Sequence, residues 1–496
     1  MPSGTILGGT SGLFGYNCGM VVDSRWRRVW VWGMLLVLAL TVRGFRAWQE
    51  EGGGVINPDA IRFIVQGQRM VDAPLGAMRE ESYHPLHAAV SLAVRQVLRF
   101  EDDRQAWLAA VRVAGVIAGA VVTLQIVALA RLLGAPFWCG VAAAVVWAFG
   151  RRTSYFGADG LSDMLFLALF GEAMIAGLQA LRFRRWWAAL FLLAGWLMGL
   201  GYLARPEALF AGVPLGVGIL QKSVATPLRG VVASVLLCVG AAICVVPYAM
   251  VTGSLSHKET KLVTGEAGVP GAVSMGIFGA AEKVHREIWE TFGFAPYLIV
   301  GIVFLVARRW LVRRRLRAVV AVWLAGWIFV MWFVAWRLGY LDGRHTLIVV
   351  WLLHGILAVA FFAVWRWSSR FSAPGLMNSL KRELRWLVVV LAMLPGVCML
   401  GKPPRRDQRF ILEAAEWVRT NTAADVVVCD YEQLVGYYSG RRFVRWVGMP
   451  EDMGENVVLG YRYVKGREVR ETIGHYRLVA VFGEEGRDRM ALYRAK

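Results

Sequence analysis

Runs of about 20 apolar residues, the length that crosses a bilayer as a helix, recur between residues 29 and 400 and are separated by short arginine-rich segments. Lipid offers no hydrogen bonds to exposed backbone, so such runs fold as helices that satisfy themselves. They fall at 29–47, 106–130, 135–150, 161–181, 186–203, 207–221, 230–251, 295–307, 318–336, 345–365 and 386–400, which predicts eleven spans. The 135–150 and 295–307 runs are short and suit tilted, broken or re-entrant helices. A mean hydropathy of +0.50 with 57% hydrophobic residues and 22 Trp excludes an ordinary soluble domain. The net charge of +20 would suggest a nucleic-acid partner in a soluble chain. Here the basic residues are clustered between apolar runs, the positive-inside pattern, and no nucleic acid is expected.

That pattern orients the chain. Arg25, Arg27 and Arg28 precede the first run, and alternate loops carry Arg131, Arg182/Arg184/Arg185, Lys222/Arg229, the Arg308–Arg317 cluster and Arg366/Arg370/Lys381/Arg382/Arg385; these are predicted cytoplasmic. Residues 48–105, 151–160, 204–206, 252–294, 337–344 and everything after 400 then face outward. Residues 1–28 read as a cytoplasmic tail, with the first run retained rather than cleaved as a signal peptide, and 29–400 as the membrane domain. Residues 401–496 read as a small extracytoplasmic α/β domain: Phe410, Ile411, Ala414, Trp417 and Val418 have helical spacing, and Asp425–Asp430, Tyr476–Phe482 and Met490–Tyr493 read as strands. The fold class is thus an all-α polytopic membrane protein with an α/β appendage. Gly195/Gly199 and Gly212/Gly216 have the small-xxx-small spacing that lets helices approach closely. The six cysteines lie mostly in apolar runs without a CxxC, which implies neither a disulfide framework nor a zinc site.

Chemistry-bearing residues concentrate on the outward side. In the loop 48–105, Asp59 follows Asn57-Pro58, and Tyr83, His84 and His87 lie in a polar turn between two amphipathic stretches, resembling a lid of interfacial helices. Taken alone, Asp59 reads as a helix N-cap. Asp159 and Asp163 lie at the mouth of the fourth span, where acids are commonly functional or paired. The plainer alternative is that they cap that span and pair with Arg151 or Arg152. Arg205 and Glu207 interrupt two apolar runs and could be a mutual ion pair. His257, Lys258 and Lys261, then Arg337, Arg344 and His345, bring further cations to the same face. Such a cluster at headgroup depth suits a phosphate or pyrophosphate, because arginine offers bidentate contacts and lysine a mobile charge; a phospholipid headgroup would satisfy the same residues. The histidines taken singly do not propose a metal.

In order along the outward side, Asn57-Pro58-Asp59-Ala60, Tyr83-His84-Pro85-Leu86, Gly160-Leu161-Ser162-Asp163, Leu203-Ala204-Arg205-Pro206-Glu207-Ala208, Pro247-Tyr248 with Thr252-Gly253 and Lys258–Lys261, and Gly343-Arg344-His345 resemble the GT-C superfamily of polyprenyl-phosphate-sugar-dependent glycosyltransferases. That superfamily includes protein O-mannosyltransferases, aminoarabinose transferases and rhizobial lipopolysaccharide sugar transferases. The resemblance covers roughly residues 28–400. It implies a catalytic role for Asp59 as general base or metal ligand near the acceptor, and for Asp159 and Asp163. It further implies donor-phosphate binding by Arg205, Lys261 and Arg344 with Lys258 and His257, and places Tyr83, His84 and Glu207 in the acceptor loop region. A divalent Mg or Mn ion is compatible with this chemistry. Many relatives have paired acids in the first loop or a Glu opening the fourth span, whereas here Asp59 is single and position 163 is Asp.

The expected activity is transfer of a sugar from a polyprenyl-phosphate donor to an extracytoplasmic glycan, lipid or protein. A flippase or transporter of a lipid-linked or anionic solute would use the same basic cavity without Asp59. The large asymmetric outward loops and the absence of a clear internal repeat weigh against it. A non-catalytic envelope assembly subunit is the third reading. The topology fits a bacterial plasma (inner) membrane.

Overall fold

The computed structural model describes residues 18–51, 56–80, 83–183, 185–255, 276–293, 316–339 and 341–368, most of 387–400, and 408–495 apart from short breaks. The first described helix is α1 (Cys18–Glu51), and the loop predicted to face outward contains α2 (Pro58–Asp72), α3 (Pro74–Glu80) and α4 (Leu86–Val97). Then come α5 (Asp103–Leu133), α6 (Phe137–Phe149), α7 (Arg151–Ala158), α8 (Ser162–Arg182) and α9 (Trp187–Tyr202). A 3-10 turn, Pro206–Ala211, leads into α10 (Gly212–Ser223) and α11 (Pro227–Thr252). α12 (Ile277–Phe292), α13 (Arg317–Leu338), a second 3-10 turn at Gly343–Thr346 and α14 (Leu347–Ser368) follow.

Among the described residues, six helices are long and apolar enough to cross a membrane: α1, α5, α8, α11, α13 and the segment Gly343–Arg366 containing α14. Trp30, Met34 and Val37 on α1 and Val231, Val235 and Met250 on α11 are exposed, a face suited to lipid rather than water. The predicted runs 135–150 and 186–203 are shorter apolar helices of 13 and 16 residues. The predicted run 207–221 divides between a 3-10 turn and α10. The predicted runs at 295–307 and, in part, 386–400 lie outside the described residues. The outward loop has three helices where two were expected. α12, within the segment 252–294 predicted to face outward, was not foreseen: it is too charged to register as an apolar run, although its apolar residues do follow helical spacing.

The two glycine pairs behave differently. A Cβ on Gly199 would meet the backbone of Ala241 at 2.6 Å, and Gly195 abuts Leu237, so α9 and α11 cross at backbone contact. Among the described residues Gly216 has nothing within 4 Å and Gly212 meets only the end of Met198 at 3.8 Å, so there spacing alone does not mark close packing.

The C-terminal domain contains α15 (Arg409–Asn421), β1 (Val427–Asp430), α16 (Leu434–Ser439), β2 (Arg442–Arg445), β3 (Val457–Tyr463), β4 (Thr472–Ile473), β5 (Tyr476–Phe482) and β6 (Arg489–Ala495). The sheet order is β2-β1-β3-β6-β5-β4, with β1 parallel to both neighbours and the remaining pairs antiparallel. α15, β1, β5 and β6 match the expected elements. β2, whose Arg-Phe-Val-Arg is short and half basic, and β3, broken by Gly460, were not anticipated. The core of this domain is continuous with the outward loop: Ile56, Ile61, Ile64 and Trp107 cluster with Phe410, Ile411, Leu434 and Tyr437. The Ile56 N–H donates to the Tyr438 hydroxyl at 3.0 Å, and Arg104 Nη1 donates to the Tyr438 carbonyl at 2.6 Å. The domain therefore buttresses the start of α2.

Enlarging the α9–α11 crossing is expected to destabilise the fold. Gly199→Leu should cost roughly 1–3 kcal/mol or more, the usual range for overpacking, read as a lower thermal midpoint in detergent, while Gly216→Leu should leave the midpoint unchanged.

Candidate active site

The site begins at the first turn of α2. Asn57 is extended (φ −59°, ψ 136°), and its side-chain oxygen accepts the Asp59 N–H at 3.0 Å, with Pro58 beside it at the first helical position. Asn57, not Asp59, is thus the N-cap, and the Asp59 carboxylate is left free for other contacts. Asn57 is held in turn by fully buried Asp159, which accepts its N–H at 3.2 Å and its Nδ2 at 3.1 Å. The next residue, Gly160, has φ +68° and sits where a Cβ would meet Val111, Ala60 and Ile56 at 3.0–3.3 Å, so both conformation and space require glycine. Its carbonyl accepts from His87 Nε2 at 2.9 Å, which fixes that tautomer; burial pulls His87 down to about 4 and keeps it neutral.

The Asp59 carboxylate faces a ring of donors. Arg344 Nη1 donates to Oδ2 at 2.6 Å, the Tyr83 hydroxyl donates to Oδ1 at 3.1 Å, and Arg62 stands 3.6 Å from Oδ1 while also contacting the Tyr83 hydroxyl. Burial alone would raise Asp59, but the Arg344 guanidinium, with Arg62 and the Tyr83 hydroxyl, offsets it and holds the group at about 2. Burial, then the neighbouring Asp59 charge, pushes Tyr83 up to about 12, so it remains a donor. Arg344 occupies the turn before α14. That turn is fixed by a reciprocal cap between Asp342 and His345 and by the Thr346 hydroxyl on the Gly343 carbonyl at 2.6 Å. Arg152 packs against Gly343 and is itself clamped by Glu287 at 2.5 Å and by Glu290 on α12.

Asp163, in the first turn of α8, pairs with Arg205, which also bonds Glu207 at 3.1 Å. The anticipated Arg205–Glu207 ion pair is therefore present, but it is one side of a triad. Arg152 pairs with α12 rather than with Asp159 or Asp163, because α12 supplies acids that the sequence did not visibly place there. Burial opposes charge on Arg205, but Asp163 and Glu207 raise its pKa above the ordinary arginine value, so it stays a cation. A small groove opens beside this triad. Asp163, Arg205, Glu207, Arg344 and His345 line it together with Phe166, Trp327, Val330, Met331, Val334 and Ile348. Charge and an apolar wall thus share one groove.

The structure brings together Asp59, Tyr83 and Arg344, and, around the groove, Asp163, Arg205, Glu207 and Arg344. Asp159 contacts Asn57 and is not among the groove residues. His84 stacks on Tyr248 at 5.2 Å and meets the Tyr202 edge at 5.0 Å, in an aromatic cluster that seats the 83–86 turn. His257, Lys258 and Lys261 lie outside the described residues. Arg62 was missed, although it lies three residues after Asp59 on one helix face, where an ion pair is the ordinary expectation. For a divalent cation, no three His, Cys, Asp or Glu side chains group together among the described residues, and Asp59 and Asp163 each face a guanidinium. Among the described residues this donor set does not fit a divalent metal.

No protein-family model and no curated protein sequence matches the chain. Solved structures do. An archaeal oligosaccharyltransferase, AglB from Archaeoglobus fulgidus, in complex with an inhibitory peptide and a dolichol-phosphate, aligns with TM-score 0.53 at 11% identity over 85% of this chain and 64% of that one. This chain therefore spans just under two thirds of AglB. ArnT from Cupriavidus metallidurans bound to undecaprenyl phosphate aligns with TM-score 0.57 at 13% identity over 94% and 97% of the two chains. ArnT in the apo state gives TM-score 0.58 at 12% identity over 95% and 98%. The chain shares the fold of these proteins, a polytopic helical membrane domain followed by a small C-terminal sheet region.

Proposed function

We propose that the chain is a membrane glycosyltransferase that moves a sugar from a polyprenyl-phosphate donor to an acceptor outside the membrane. The observation that carries this reading is the groove: two guanidiniums, Arg205 and Arg344, stand at its charged end beside an apolar wall, and Arg344 holds the Asp59 carboxylate. A lipid-linked phosphate needs both surfaces at once. The phosphate meets arginines that offer planar, charge-assisted hydrogen bonds, and the prenyl chain runs along Phe166, Trp327 and Met331. Support comes from two proteins of the same fold, one crystallised with undecaprenyl phosphate and one in complex with a dolichol-phosphate.

In this mechanism the acceptor hydroxyl or amine attacks the anomeric carbon as the bond from that carbon to the phosphate oxygen breaks. The acceptor proton passes to Asp59, and polyprenyl phosphate leaves carrying the bonding electron pair. Arg205 and Arg344 stabilise the charge that grows on the leaving phosphate. Asp163 and Glu207 hold Arg205 in place, and Tyr83 with Arg62 orients Asp59. Asp159 acts through Asn57 as a positioning residue. The bacterial inner membrane, an inside N-terminus and an outside C-terminal domain complete the reading. The acceptor is a glycan, lipid or protein of the envelope.

Turnover of radiolabelled polyprenyl-phosphate sugars by protein in lipid nanodiscs tests the reading. Asp59→Asn should slow release of polyprenyl phosphate by roughly 10²–10⁴-fold, the usual worth of a positioned proton acceptor, and Arg344→Ala should impair it comparably. Wild-type turnover undiminished in both variants would reject the assignment, and passage of the donor across the bilayer without sugar transfer would favour a transporter. Orientation is read separately: alkaline phosphatase fused after residue 496 should be active in a bacterial host, and an inactive fusion with a fluorescent cytoplasmic counterpart would reverse the topology.

A further inference from the structure

We propose that the donor phosphate and the Asp59 carboxylate compete for the Arg344 guanidinium, so that Asp59 becomes a proton acceptor only while a donor is seated. The inference rests on the donor-site reading above and adds to it an order of events.

Both guanidiniums at the groove already carry carboxylates without a ligand. Arg205 carries Asp163 and Glu207, while Arg344 carries Asp59 at 2.6 Å and stands 3.7 Å from Asp342. An arriving phosphate therefore finds both guanidiniums already paired and competes with a carboxylate for one of them. The surroundings decide which one yields. Asp163 is 3% exposed, and Arg205 is its ion-pair partner, so releasing it would strand a buried charge; even if the more exposed Glu207 turns away, Arg205 stays paired with Asp163. Asp59 has a second set of partners: on losing Arg344 it keeps the Tyr83 hydroxyl at 3.1 Å and Arg62 at 3.6 Å. Its Oδ2 meets Arg344 and its Oδ1 meets Tyr83, so the two attachments are on different oxygens and one can be given up without the other. Arg344 lines the groove directly, whereas Asp59 reaches it through Arg344.

The chemical consequence follows. While paired with Arg344, Asp59 is held near 2, far too weak a base to take an acceptor proton. Withdrawal of Arg344 removes the strongest influence holding it down, and burial then acts to raise it. Donor binding and base strength are thereby coupled. Without a donor the carboxylate stays latched, and an acceptor meets no active base.

Coupling is reciprocal, so it is readable from binding alone. Undecaprenyl phosphate, which carries no sugar, is titrated against the full chain in nanodiscs. Asp59→Asn removes the competitor and should tighten binding roughly fivefold or more, the low end of ordinary couplings between sites; Asp59→Ala should act in the same direction. In an Arg344→Ala background the Asp59→Asn step should leave the affinity unchanged. Weaker or equal binding in both Asp59 variants would overturn the competition, because Asp59 would then serve to hold Arg344 ready for phosphate. A gain that persists without Arg344 would also overturn it, locating the effect in simple repulsion. Wild-type protein that does not bind undecaprenyl phosphate would instead remove the donor-site reading itself.

Discussion

The Asp59–Arg344 ion pair joins residues 285 positions apart and ties α2 to the turn that opens the last long helix described. Everything else near the site serves to bring these two groups together. Asp159 grips Asn57 so that α2 begins with Asp59 turned toward Arg344, and Gly160 allows the α7–α8 connection to pack under that first turn. On the other side, Arg152 and the acids of α12 brace the turn from which Arg344 projects. The pair is half-buried, each side chain about a fifth exposed, so an incoming anion can reach the guanidinium and compensate the charge when the pair opens.

The chemistry is matched to the boundary between lipid and water. A prenyl chain is soluble in the bilayer and its phosphate is not, so a site for both must combine an apolar wall with cations at one end. The groove between α8, α13 and the 343–346 turn has that composition. The C-terminal domain stands over the same region. Its core merges with α2, and Tyr438 binds both Ile56 and Arg104, so the sheet steadies the loop that carries Asp59.

Much of this was legible in the sequence, for identifiable reasons. Long apolar runs specify spanning helices because the bilayer leaves the backbone no alternative, and α5, α8, α11 and α13 lie where hydropathy placed them. Asp59, Asp163, Arg205 and Arg344 stood out because ionisable groups at membrane mouths are costly unless paired or used. What the sequence did not carry was partner choice. Arg152 was adjacent to Asp159 and Asp163 but paired with Glu287 across 135 residues, and Asp59 looked like a cap until Asn57 took that role. Gly212 and Gly216 had the same spacing as Gly195 and Gly199, yet only the latter face another backbone, because spacing does not reveal which side of a helix is covered. Short strands such as Arg442–Arg445 carried too little alternation to be seen.

The most direct test is a structure of the chain in lipid with undecaprenyl phosphate bound. The phosphate is expected between the Arg205 and Arg344 guanidiniums, with the prenyl chain along Phe166, Trp327 and Met331 and the Asp59–Arg344 distance longer than its present 2.6 Å. A phosphate lodged elsewhere on the membrane face, with that ion pair intact, would contradict it.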